Sequence, residues 1–296
     1  MDLIDLHSHS TASDGSLTPR LLVAQAHKAG LKALALTDHD TVEGLDEALM
    51  AGQELGFSVI PGVEISIKSD ELLSKPGSMH VLGLWVDHHH PGLLAGLEML
   101  QEARARRNPQ IVQKLNNMGI SLTLKEVAKY AGGQLIGRPH FAQALLERGI
   151  VRDRGEAFSR YLAADAAAYV PKYCLSPREG IALLRAAEAL PVLAHPGLLK
   201  LPQFDLESLL RRLMNLGLEG LEALYSGHDS ATRLGFNRLA SRLGLAVSGG
   251  SDFHGLGKPE IALGTGRGDL RVPASLLAAL AQRRERLRKG AAAVAQ

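Results

Sequence analysis

The sequence predicts an α/β fold, a distorted (β/α)7 barrel carrying a helical insertion, and three observations predict it. Seven short apolar runs bounded by turn residues recur along the 296 residues, amphipathic stretches lie between several of them, and one long segment breaks the rhythm. The runs are LIDLH (3–7), LKALALTDH (31–39), FSVIPGVEIS (57–66), HVLGLWV (80–86), PVLAHPG (191–197), LEGLEALYSG (218–227) and LAVSGGSDFHG (245–255). Residues 19–29, 45–55, 177–189, 206–216 and 230–243 read as helices with their polar faces outward. Strand then helix, repeated, makes a parallel-rich sheet covered by helices, and seven strands suit a barrel better than a small open sheet. From about Gln101 to Tyr173 helical patterns and the turn Ala131-Gly132-Gly133 replace runs of buried-strand type. The expected organisation is a barrel domain of residues 1–100 and 174–296, with a helical insertion domain of residues 101–173.

Composition narrows the classes of function. The apolar share of 46% is that of an ordinary globular protein, and 33 basic against 31 acidic residues leave a net charge of +2 with no block of like charge. Bulk charge therefore gives no argument for nucleic acid. No apolar run reaches the ~18 residues of a membrane span. Cys174 is the only cysteine, and Met1 leads into an acidic, strand-like segment without a basic and apolar leader, so the expectation is a cytoplasmic protein without a disulfide or membrane contact.

Chemistry shows in where the histidines fall. In barrels of alternating strand and helix, functional side chains gather at the C-terminal ends of strands and on the loops beyond. His7 and His9 end the first run, Asp38 and His39 the second and Glu64 the third; His195 lies in the fifth, and Asp252 and His254 close the seventh. His80 begins its run instead, so it reaches the same rim only if HVLGLWV runs antiparallel to the Glu64 strand. That requirement is what distorts the expected barrel. Neutral imidazole and carboxylate suit divalent zinc, manganese or iron. His27, His88, His89, His90 and His228 fall outside the rim and read as ordinary surface or core residues.

The stretch DLHSHSTASDG (5–15) concentrates the signal. In an extended segment residues i and i+2 share a face, so His7 and His9 can grip one ion while Ser8 points away. Asp14 lies beyond a turn, and Gly15 lets the chain reverse and present that carboxylate to the same pocket.

These motifs, with T-D-H-D (37–40), P-G-V-E-I-S (61–66), H-V-L-G (80–83), A-H-P (194–196) and S-D-F-H (251–254), resemble the PHP family, named for polymerase and histidinol phosphatase. The resemblance runs in the family's order from residue 5 to residue 254, and it implies a distorted seven-stranded barrel. It also implies a trinuclear site. His7, His9 and Asp252 would hold one ion, His80 and His195 a second with Glu64 bridging the two, and Asp14, His39 and His254 a third. Within that set Glu64, Asp14, His39, Asp252 and His254 are the candidate catalytic residues. Two or three divalent ions are expected, manganese first, with iron or zinc as alternatives.

Clustered divalent ions lower the pKa of a bridging water and clamp phosphoryl oxygens, so phosphoester hydrolysis by in-line attack of a metal-bridging hydroxide is the expected reaction. Phosphate also needs cations from the protein. Arg138 and His140 in G-R-P-H, and Lys172 near the end of the insertion, are the candidate phosphate ligands, Arg being suited to bidentate contact beside a helix start. Arg104, Arg106 and Arg107 read as a solvated helix face. Within the family, a short chain with an insertion of this size is most similar to the nucleotide-directed branch, particularly 3′,5′-nucleotide bisphosphate phosphatases. The expected reaction is removal of the 3′-phosphate from adenosine 3′,5′-bisphosphate or a similar small-molecule nucleotide. Its alternatives are 5′-to-3′ exoribonuclease action on short RNA, histidinol-phosphate phosphatase, and a metal-stabilised binding module without turnover.

Overall fold

The structure is a computed structural model that describes residues 2–69, 72, 78–133 and 135–294. A curled six-stranded sheet holds β1 (Ala33–Leu36), β2 (Ser58–Lys68), β3 (Ser78–Leu84), β4 (Leu190–Leu193), β5 (Gly220–Tyr225) and β6 (Ala246–Gly250) in sequence order. β1 and β2 run parallel, as do β4, β5 and β6, whereas β3 is antiparallel to both of its neighbours. His80 therefore pairs with Ser66 near the end of β2, and the reversed strand that its position demanded is present.

The first apolar run differs from expectation. Residues 3–9 lie between the two edges of the sheet, bonded to β1 through Asp5 N–H to Ala33 O and Ala35 N–H to Asp5 O, and to β6 through Leu6 N–H to Gly249 O. They form isolated bridges rather than a ladder. The buried Asp5 carboxylate supplies the reason: it takes the N–H of His7 (3.2 Å), Ser251 (2.8 Å) and Gly264 (2.8 Å), donors that a regular ladder would pair with carbonyls.

Alternation along the strands makes two cores. Ala33, Ala35, Leu82, Leu84, Leu190 and Val192 face the inside of the curl with Ile4 and Leu6. Leu34, Leu36, Val63, Val81, Leu193 and Leu221 face outward, where helices cover them. Those helices are α1 (Pro19–Lys28), α2 (Leu45–Leu55), the first half of α3 (Pro91–Asn117), α7 (Pro177–Ala186), α8 (Gln203–Leu216) and α9 (Ser230–Leu243). Three of their starts are written plainly: Thr18, Ser176 and Asp229 accept hydrogen bonds from the first turns of α1, α7 and α9. Helix α10 (Leu276–Val294) adds Leu280 to the inner core.

Helices α4 (Leu124–Ala128), α5 (Arg138–Glu147) and α6 (Arg154–Ala157), and a π-helical turn over Phe158–Leu162, build a further cluster around Phe141, Leu145, Val127 and Leu162. Helix α3 ties the two parts together, giving Leu93, Leu97 and Leu100 to the sheet-side core and Ile111 and Leu115 to the helical cluster. Among the described residues no helix is long and apolar enough to cross a membrane.

Candidate metal centre

The loop after the first run is tied down by Asp38. Its carboxylate accepts Ser10 N–H (2.8 Å) and the hydroxyls of Ser10 (2.6 Å) and Ser13 (2.5 Å), which fixes the turn that carries Asp14. Gly15 keeps φ negative, so its use is space rather than handedness: a Cβ there would collide with the His9 carbonyl.

Glu64 sits fully buried at the middle of the rim. His39 Nδ1 (2.7 Å), His80 Nδ1 (2.8 Å) and His195 Nε2 (2.9 Å) surround it, with His7 Nε2 and His9 Nε2 each at 3.4 Å. Asp252 Oδ1 lies 3.2 Å from His9 Nε2 and 3.7 Å from His7 Nε2. Asp14 lies 3.3 Å from His254, 3.8 Å from His39 and 3.9 Å from His9. The structure thus brings together all nine candidate metal ligands, while Asp38 serves the turn instead. Their donor atoms fall into overlapping groups, among them His7, His9 and Asp252; His7, Glu64 and His195; His39, Glu64 and His80; and His9, Asp14, His39 and His254. His195 and Asp252 hold positive φ angles of 29° and 56°, backbone strain kept where these two candidate ligands are aimed.

These residues fit a metal. His7 Nε2, both ring nitrogens of His9, Glu64 Oε2 and His80 Nδ1 are buried without a hydrogen bond of proper geometry, although opposite groups stand close by. Buried polar atoms are normally paired, and lone pairs converging on one space answer to a cation. The donor set of imidazole and carboxylate suits manganese, iron or zinc. Electrostatics agree. Burial works against charge on Glu64, yet His39, His80 and His7 hold its carboxyl well below the usual range. Burial pushes His80 down to about 4 against the pull of Glu64, so it is a neutral donor at neutral pH. Burial, His254 and His39 together hold His9 well below the usual imidazole range.

The candidate phosphate ligands occupy different surroundings. Arg138 lines a cleft of about 520 Å³ that also takes in Asp14, His39 and His80; its Nη1 donates to Leu162 O at 3.0 Å and its guanidinium lies over the Tyr169 ring. Lys172 lines the same cleft but is already bonded to Asp40 Oδ2 (2.7 Å) and to Ser66 Oγ. His140 is buried, and its Nδ1 accepts the Gly137 N–H at 2.9 Å.

The expectation of a solvated arginine face on α3 holds only for Arg106, which pairs with Glu102 at the surface. Arg104 and Arg107 are buried and line the cleft. Arg104 Nη2 lies 2.5 Å from Asp40 Oδ2, and its neighbours explain the correction: Asp40, at the end of the β1 rim, is a buried carboxylate that needs a cation. The sequence reading also missed Glu222, Tyr225 and Lys258, which touch the candidate ligands without belonging to any donor group. A glutamate inside the apolar run LEGLEALYSG was the available signal for the first of them.

The PHP domain family pattern matches residues 5–165. A 5′-3′ exoribonuclease of Haemophilus influenzae is 35% identical, the match covering 84% of this chain and 89% of that protein. A 3′,5′-nucleoside bisphosphate phosphatase of Chromobacterium violaceum is 33% identical over 86% of this chain and 88% of its own. Among solved structures, a protein of Bifidobacterium adolescentis described as a metal-dependent phosphoesterase superposes with a TM-score of 0.83 at 32% identity, over 95% of this chain and 96% of that one. With the likeness extending over most of its length, the chain belongs to the PHP domain family and is a metal-dependent phosphoesterase.

Proposed function

We propose that the protein removes the 3′-phosphate of nucleoside 3′,5′-bisphosphates, such as adenosine 3′,5′-bisphosphate, giving the nucleoside 5′-monophosphate and inorganic phosphate with consumption of one water. Residues 3–9 act as the seventh stave of a distorted barrel, and residues 101–173 as the insertion domain above its rim. His7, His9 and Asp252 would hold one divalent ion, His80 and His195 a second, Glu64 both, and Asp14, His39 and His254 a third. Such ions, when bound, lower the pKa of water and clamp phosphoryl oxygens. The buried, ionised Glu64 would be shared by the two neighbouring ions, and the strained backbone at His195 and Asp252 would keep their side chains from turning away.

The observation that carries the nucleotide reading is Arg107. It is buried, has no carboxylate partner among the described residues, and burial together with Arg104 and Arg138 pushes its pKa down to about 9. Crowded cations of this kind are relieved by an anion, and arginine forks match phosphate. Arg107 and Arg138 share the cleft with the rings of Phe158 and Tyr169, so a second phosphate and a base both have a wall to meet. His140 serves this wall by holding the start of α5, which carries Arg138.

A second reading, 5′-to-3′ exoribonuclease action on short RNA, is favoured by the Haemophilus relative, which carries that name at similar identity. A panel of adenosine 3′,5′-bisphosphate, adenosine monophosphates, histidinol phosphate and a 5′-phosphorylated trinucleotide, compared by kcat/KM, separates them. The bisphosphate is expected to lead. A lead for the trinucleotide moves the function to the second reading, and a lead for histidinol phosphate removes the nucleotide altogether.

A further inference from the structure

The candidate donors come from residues 3–9, from the loop beyond them that carries Asp14, and from within or just beyond β1, β2, β3, β4 and β6, whereas β5 contributes to none of the donor groups among the described residues. We infer that β5 is the strand that positions its neighbours' ligands: Glu222 aligns His7 and His195, and Tyr225 aligns Asp252. This rests on the metal reading above, and on geometry of its own.

Glu222 is fully buried, with Oε1 2.8 Å from His7 Nδ1 and Oε2 accepting the His195 N–H at 2.6 Å. A carboxylate only accepts, so His7 donates from Nδ1 to Glu222 and turns Nε2 toward Glu64 and Asp252, where that atom makes no hydrogen bond. The same carboxylate restrains the backbone of His195 at its strained φ of 29°. Tyr225 donates its hydroxyl to Asp252 Oδ2 at 3.1 Å, and Lys258 takes that oxygen at 2.6 Å, leaving Oδ1 for the side facing His9. Strict alternation would put residues 222 and 225 on opposite faces of β5. The register shift between Glu222 and Leu224, against Ser248 and Gly249 of β6, inserts the odd residue that brings both side chains to the rim.

Positioning groups of this kind raise ligand basicity and fix ring orientation, and their loss costs about 10- to 100-fold in metal affinity. The test titrates metal-free protein with manganese or zinc against a chelating dye, and reads the histidine ring tautomers of the metal-free protein by nitrogen-15 NMR. Glu222→Ala is expected to lose affinity within that range and to lose the Nδ1–H tautomer of His7, a change that a purely structural role would not produce. Glu222→Gln retains the shape and one accepting oxygen, so it should fall several-fold, and Tyr225→Phe by less. Should the alanine variant fail to fold, the other two decide: affinity unchanged in both overturns the inference. Wild-type protein that takes up neither ion would sink the metal reading and this inference together, whereas wild-type uptake with unaltered variants sinks only the role of β5.

Discussion

Two buried carboxylates of the same rim are treated in opposite ways. Glu64 is ringed by five histidines, and the ring nitrogens of several of them, with one of its own oxygens, are left without hydrogen bonds. Asp40, a few residues beyond β1, has every need met: Arg104 and Lys172 bind one oxygen and Ser66 N–H the other at 2.9 Å, and its carboxyl stays far below the usual range because those cations overcome the effect of burial. Unmet donors around a carboxylate mark a place where something else binds. A carboxylate whose oxygens are both met marks a joint, here between the rim, α3 and the end of the insertion, although Arg104 Nε within it makes no hydrogen bond.

Substitution at Glu64 tests the first half most severely. Glu64→Gln should lower turnover with saturating manganese by about a thousandfold or more, about 4 kcal/mol in the barrier, because in the proposed site it would weaken two ion positions together. Elemental analysis of the same protein should show fewer bound ions, and chelation of the wild type should abolish hydrolysis. A glutamine variant with wild-type rate and metal content would break the contrast with Asp40.

The joint predicts a stability effect instead. Asp40→Ala leaves Arg104 buried without its carboxylate, a loss of roughly 3 to 5 kcal/mol for a broken buried pair, and about 3 is expected because Lys172 keeps some contact with water. The urea midpoint measures it. A variant as stable as the wild type would mean that Arg104 is held for substrate and not for the fold.

The two halves were unequally legible in the sequence, for a physical reason. Metal donors must be imidazole or carboxylate at strand ends, residue types that are costly elsewhere in a core, so the rim stood out from DLHSHSTASDG to SDFH. The reversed β3 followed from the position of His80 alone. A buried arginine gives no such sign by its type. Its sign is position: Leu93, Leu97, Leu100, Arg104, Arg107, Ile111 and Leu115 form one stripe of three- and four-residue steps along α3, and the two arginines continue the apolar face. The first strand was misread as a regular stave because nothing in LIDLH shows that Asp5 will capture three amides from its own and neighbouring segments.

A smaller effect belongs to the cleft wall. Arg107→Ala and Arg138→Ala should each lower kcat/KM for adenosine 3′,5′-bisphosphate by about tenfold, the equivalent of one charge-assisted hydrogen bond, and for adenosine monophosphates by less. Equal losses on both substrates would remove the second phosphate from this wall.

The smallest expected effect is the sharpest test of the stripe. Arg106 lies about 200° round the helix from Arg104, so it leaves the buried face altogether. There it meets Glu102 one turn back at 3.0 Å, with both side chains more than half exposed. An exposed pair of this kind gains little over two hydrated ions, and salt screens what it gains. Arg106→Ala should therefore leave both the urea midpoint and the ratio of bisphosphate to monophosphate kcat/KM unchanged, in the same assays that register Arg104 through its joint and Arg107 through its substrate. Three arginines within four residues would then separate by helical face alone. If Arg106→Ala instead shifts the substrate ratio as Arg107→Ala does, what matters is the summed positive charge of α3, and the assignment of the second phosphate to individual guanidinium groups fails.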